Sequence, residues 1–279
     1  MTALFALAGA LIVGASDFGG GFASRSTSAF RVAGWIQAFS ALFIAVAVWL
    51  VDAPDVRNAD LLAGAVAGVS GTFSFVALYA AFARGQISRL APVTAVVGAV
   101  VPTVVGVARG ESLTAVRALG VVVALMAIAL VTQERSDGGP SSTPASAFAL
   151  ATAAGLGFSV FFLALAETQQ DAGLWPLLVA RCVSVPIVVV LALRLTGSLS
   201  VERRLRLILI GAGLGEAISN VFVLWSYQRG PIAVAAVLGA FYPISTVLLA
   251  RLVLNERLLN IQWVGVALAL VAVPLIAAP

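Results

Sequence analysis

Long apolar runs alternate with short polar breaks along nearly the whole chain, from "LFALAGALIVGASDFGGGFA" near the start to "WVGVALALVAVPLIAAP" at the end. Crossing ~30 Å of hydrocarbon takes roughly 20 residues of α-helix, the form that satisfies its own backbone hydrogen bonds there. The pattern predicts an all-α polytopic membrane protein of about ten transmembrane helices. Their expected limits are 2–22, 31–51, 59–83, 86–109, 114–133, 146–167, 173–196, 204–228, 231–253 and 259–278. The weakest break lies between the third and fourth runs, where only "ARGQ" interrupts the apolar residues.

The one stretch with linker composition, "QERSDGGPSSTPA" (133–145), falls at the middle of the chain. It divides the sequence into residues 1–133, a loop at 134–145, and residues 146–279, with five predicted helices on each side. The halves echo each other at an offset of 145 residues: Arg84-Gly85 falls on Arg229-Gly230, Ile87 on Ile232, Glu111 on Glu256, Leu113 on Leu258 and Gly120 on Gly265. Gly68 and Ser74 fall on Gly213 and Ser219 at the same offset. An odd-membered repeat followed by its copy must cross the membrane in the opposite sense. Such inverted repeats underlie alternating access, with a solute held near the midplane between them.

The stretch 227–276, "YQRGPIAVAAVLGAFYPISTVLLARLVLNERLLNIQWVGVALALVAVPLI", has a small-residue helix with an internal Pro, a Glu at a short turn, and a Gly-containing last helix. It resembles the end of an EamA domain, as does its counterpart at 82–131. Nearly end to end, the chain is similar to the ten-helix drug/metabolite transporter superfamily. That resemblance implies two EamA repeats and transport of a small metabolite, commonly the efflux of amino acids or related compounds. Related ten-helix families resemble sugar porters, so sugar uptake is the alternative within this architecture. One departure is that Pro102 and Pro243 do not align at the common offset, so the halves need not kink alike.

Composition narrows the chemistry. The chain is 61% hydrophobic and 10% charged, where a soluble domain carries about 25% charged residues. The net charge of +4 comes from arginines scattered between apolar runs, with no lysine and no basic tract, which argues against nucleic-acid binding. The absence of histidine removes imidazole bases, and the lone Cys182 rules out an intrachain disulfide or an all-cysteine metal site. No cofactor and no metal are expected, and an intramembrane lipid-processing enzyme is the weaker alternative of a different class. The first apolar run has no basic residue before Arg25, so it reads as a retained helix rather than a signal peptide.

The arginines also orient the chain. Loops after the odd-numbered helices hold Arg25, Arg31, Arg84, Arg89, Arg135, Arg194, Arg203, Arg204, Arg206, Arg251 and Arg257, against Arg57, Arg109, Arg117 and Arg229 on the other face. Basic loops stay cytoplasmic, so both termini are expected outside a plasma membrane. The resemblance implies the reverse, with cytoplasmic termini.

Three ionisable groups fall deep within apolar runs: Asp17, Arg181 and Glu216. Such groups usually face a cavity or a partner. Glu216 lies near the middle of the eighth run, and Ser219 and Asn220 follow it on the same helical face, with Tyr227 farther along. This carboxylate, hydroxyl and amide suit a polar solute or a proton. Arg181 would pair with Glu216, hold a substrate carboxylate, or snorkel to the headgroups. Asp17, with Gly19 to Gly21 after it, predicts a loosened helix end that presents a carboxylate to the cytoplasmic mouth. Tyr242, beside Pro243, is a further cavity candidate, and Trp35 and Gln37 could join Asn220 in binding a sugar. Tyr79 and Trp225 fit an interfacial aromatic belt. Gly64, Gly68, Gly71 and Phe75 form a stripe for close helix packing. The expected partners are the lipid bilayer, a small-molecule substrate and protons coupled through Glu216 or Asp17.

Overall fold

The computed structural model describes residues 1–85, 87–111, 114–131, 143–254 and 260–277. Helix starts follow from local chemistry. The first helix, α1 (Thr2–Ser24), ends at a turn from which Ser28 opens α2 (Ala29–Ala47) by accepting the Phe30 N–H. A single 3-10 turn, Val48–Leu50, extends α2. Asp60 begins α3 (Asn58–Arg84) by accepting the Arg57 N–H, and its carboxylate takes both prongs of the Arg57 guanidinium. Then come α4 (Ile87–Ala108), α5 (Ala115–Val131) and α6 (Ala145–Ala166). Pro176 sits in the first turn of α7 (Trp175–Thr196), where its missing N–H is harmless, and Gly197 stops that helix in a left-handed conformation. The rest of the described chain is α8 (Arg203–Gln228), α9 (Ile232–Gly239), α10 (Tyr242–Leu254) and α11 (Asn260–Ala277).

Among the described residues, six helices are long and apolar enough to cross a membrane: α1, α2 with its 3-10 extension, α3, α6, α7 and α8. The ninth expected span is not one helix. It breaks at Ala240-Phe241, between α9 and α10, because Pro243 lacks the N–H that a continuous helix would need there. Its counterpart in the first half, α4, runs unbroken through Pro102. The expectation of a loosened end in α1 is also overturned. That helix continues through Asp17 and all three glycines to Ser24.

Side-chain neighbours give the helix directions. Gly20 and Gly21 of α1 meet Tyr79 and Phe82 of α3, so these two run in parallel. Gly71 and Gly157 pair α3 antiparallel with α6, through Phe161 and Ser74. The first helices of the two halves, α1 and α6, therefore point in opposite directions. The second helices do likewise: Arg31 of α2 bonds Thr196 at the end of α7, while Trp49 meets Trp175 edge-on at its start.

The predicted small-residue stripe of α3 packs as expected. Gly64 and Gly68 lie directly on the Pro176 and Ala180 carbonyls of α7, and Gly71 lies on Phe161. Among the described residues, the buried apolar side chains form three clusters. One, around Ala23, Val32, Phe82, Leu90, Ala151 and Leu205, joins both halves at the end of the bundle where α1 stops. The other two, around Ala10 and Val237 and around Leu165 and Leu224, lie toward the end where α1 starts.

Candidate solute-binding cavity

Between those last two clusters runs a cavity. Its walls come from α1, α3, α4, α6, α8 and the α9–α10 break, and so from both halves. Along α1 it follows Ala6, Ala10, Val13 and Asp17, a rise of about 16 Å. Asp17 closes it at mid-depth, and the cluster beyond, with Phe75, Tyr79 and Phe82, fills the space to the opposite end. The cavity volume is about 60 Å3. It is a narrow cleft, roomy enough for a few waters.

Glycine explains why α1 can serve as one wall. A methyl on Gly14 would overlap the Tyr242 carbonyl oxygen at the start of α10, and one on Gly20 would lie 2.6 Å from the Tyr79 ring. Thr246 of α10 donates to the Gly14 carbonyl (2.9 Å), which fixes the broken helix against α1. The glycines around Asp17 therefore admit neighbouring helices; they do not unwind the backbone.

Behind the inner end of the cavity lies a buried ion pair. Arg181 Nη2 donates to Glu216 Oε1 at 2.6 Å, with the two side chains 4% and 1% exposed. Of the three alternatives for Arg181, the structure has the pair with Glu216. Asn220 Nδ2 donates to the same oxygen at 2.9 Å and links the pair to the cavity wall. Asp17 is 4% exposed, and its Oδ1 has no protein hydrogen-bond partner. Glu216 Oε2, Arg181 Nε, Tyr79 Oη, Ser40 Oγ and both polar atoms of Gln37 are likewise buried without one. Unanswered polar atoms of this kind usually mark water or a ligand site.

Of the residues singled out from sequence, Asp17, Ser219, Asn220, Tyr227 and Tyr242 line the cavity. Tyr242 Oη donates to the Ala91 carbonyl at 2.8 Å, and Tyr227 stacks on Phe162 with ring centroids 5.6 Å apart. Glu216 and Arg181 form the support behind it. Gln37 is fully buried on α2, which packs against α7 and α8, but does not line the cavity. Trp35 lies elsewhere: its indole N–H donates to the Leu199 carbonyl in the α7–α8 loop. Asp17 faces away from the mouth expected for it, since the cavity extends toward the end where α1 starts. Tyr79 corrects the belt assignment, being fully buried in the core. Trp225 is half-buried, with the Arg229 guanidinium 5.3 Å from its ring centroid.

Sequence reasoning missed Thr94 and the phenylalanines at 158, 161 and 162, which form an aromatic wall with Phe75, a residue read from sequence as helix packing. It also missed the role of Glu111. From the turn after α4, its carboxylate accepts the Ile232 and Ala233 N–H groups (2.7 and 3.0 Å) at the start of α9, joining the two halves near the α1-start end. A carboxylate suits that helix N-terminus. Its repeat partner, Glu256, lies outside the described residues. The Arg109–Glu167 ion pair joins the halves at the same end.

The sequence model of the EamA-like transporter family matches residues 1–133 and again residues 143–278. A crystal structure with 16% sequence identity superimposes on 98% of this chain and 95% of its own, with a TM-score of 0.75, and so shares the fold. A comparison with curated proteins finds no match.

Proposed function

Because the chain belongs to the EamA-like transporter family, we propose that it is a secondary transporter moving a small polar metabolite by alternating access. As a multi-pass membrane carrier it needs no catalytic centre. One observation carries the reading: a cleft bounded by both halves ends at mid-depth on the unpartnered carboxylate of Asp17 and is packed shut on one side. Residues 1–133 and 146–279 are the two moving units, and rocking one against the other would open the packed side and close the cleft.

In this reading the solute is an amino acid or a related compound, and the direction is efflux. Asp17, Asn220, Ser219, Tyr227 and Tyr242 hold the solute, while Arg181 and Glu216 fix Asn220 from behind. Two carboxylates, Asp17 and Glu216, and one guanidinium, Arg181, lie at the inner end, so one negative charge is left for a proton or a cationic group to balance. Asp17 and Glu216 are the proton carriers we propose, with Tyr79, Tyr242 and Arg181 around them. Placing the arginine-rich face in the cytoplasm makes this an outward-open form in a plasma membrane, with both termini outside. The sugar-uptake reading has less support, because Trp35 and Gln37 do not line the cleft.

Metabolite profiles of cells with and without the protein, followed by counterflow of the changed compounds in liposomes, test this. The reading expects at least one compound to exchange through the protein. Profiles that do not differ, or compounds that fail to exchange, would overturn it.

A further inference from the structure

Most polar groups along the cleft share a property that the transporter reading does not require: they are acceptors. A hydroxyl has one proton to give. Thr94 donates to the Ala151 carbonyl, Ser219 to Gly9, Ser226 to Val223 and Tyr242 to Ala91. Each therefore offers the cleft only lone pairs. Asn220 spends one of its two amide N–H donors on Glu216, which leaves its carbonyl oxygen and one N–H. Tyr227, at the far end, is the only lining hydroxyl among the described residues with no partner.

Charge points the same way. Asp17 lines the cleft and has no arginine within ion-pairing distance among the described residues, while Arg181 is held by Glu216 and does not line the cleft. The remaining surface is largely aromatic and aliphatic, with Phe75, Phe158, Phe161 and Phe162 on one side. A carboxylate or phosphate would meet a carboxylate, mostly lone pairs, and no cation among the described residues. A sugar would leave its acceptors unanswered. A protonated amine with an apolar body satisfies every feature: its N–H groups answer Asp17 and the lone pairs, and its charge suits the aromatic faces.

Resting on the transporter reading, we infer that the site selects a small amphipathic ammonium compound, with the cationic nitrogen on Asp17 and the apolar body toward the phenylalanines. An amino acid would then be recognised by its amino group, and loss or masking of its carboxylate would favour binding.

Direct binding to the purified protein in lipid nanodiscs tests this with three probes of one shape: phenethylamine, phenethyl alcohol and phenylacetate. The amine is expected to bind about tenfold or more tighter than either of the others, the usual effect of a charged hydrogen bond. Asp17→Asn is expected to abolish that preference. If this variant does not fold, the three probes on the unaltered protein decide. Equal binding of the alcohol or the acid, no binding of the amine, or an amine preference that survives Asp17→Asn would overturn the inference. Counterflow in liposomes separates the two readings. Selective amine binding without any flux would sink transport and keep the site, whereas flux of a metabolite with no amine selectivity would do the reverse.

Discussion

A charge at the centre of a bilayer helix costs about 2.5–3.5 kcal/mol, so the Arg181–Glu216 pair has to offset two such charges. With the partners 2.6 Å apart and almost wholly buried, removing one leaves the other uncompensated. Arg181→Met should destabilise the protein by about 3–5 kcal/mol, read as early unfolding in detergent. Adding Glu216→Leu to that variant should restore most of the loss. Glu216→Gln keeps an oxygen for Asn220 and Arg181 and should fold, yet lose pH-driven transport. Normal transport across the pH range would remove Glu216 from coupling. The grouping of Glu216, Ser219 and Asn220 was legible because helical spacing alone puts them on one face. Tyr79 was not. An aromatic near a helix end looks interfacial until packing sets its ring against Gly20.

Among the elements, α1 and the α9–α10 pair act together. Gly14 brings the α1 backbone against the Tyr242 carbonyl, and Thr246 bonds back to the Gly14 carbonyl. Gly20→Leu should cost about 1–3 kcal/mol by driving a side chain into the Tyr79 ring, measured as a lower unfolding temperature. An unchanged transition would mean that α1 and α3 do not approach so closely. The sequence "GASDFGGG" pointed to loosened backbone because glycine permits unwinding and close packing equally well. Only the neighbours of each glycine distinguish the two. The break in α9–α10 was half legible: Pro243 marked the place, but the apolar run hid how completely the helix stops.

In the whole molecule, opposed helix directions follow from the odd-numbered repeat, and Arg-Gly and Glu matches in the sequence were enough to suggest it. Which end is packed shut depends on contacts between distant helices, such as Phe82 with Gly21, and no linear pattern carries that. Orientation rests on the arginines. A reporter active only in the cytoplasm, fused after Pro279, should stay dark; a bright fusion would turn the molecule over and make the present form inward-open. The claim on which transport depends is that one cleft is reached from each side in turn. A cysteine at Val13, in a Cys182→Ser background, can be tested with a membrane-impermeant cationic thiosulfonate applied to one face at a time. Val13 lines the cleft, so labelling from both faces during turnover, and protection by bound solute, is the expected result. Labelling from a single face under every condition would contradict alternating access.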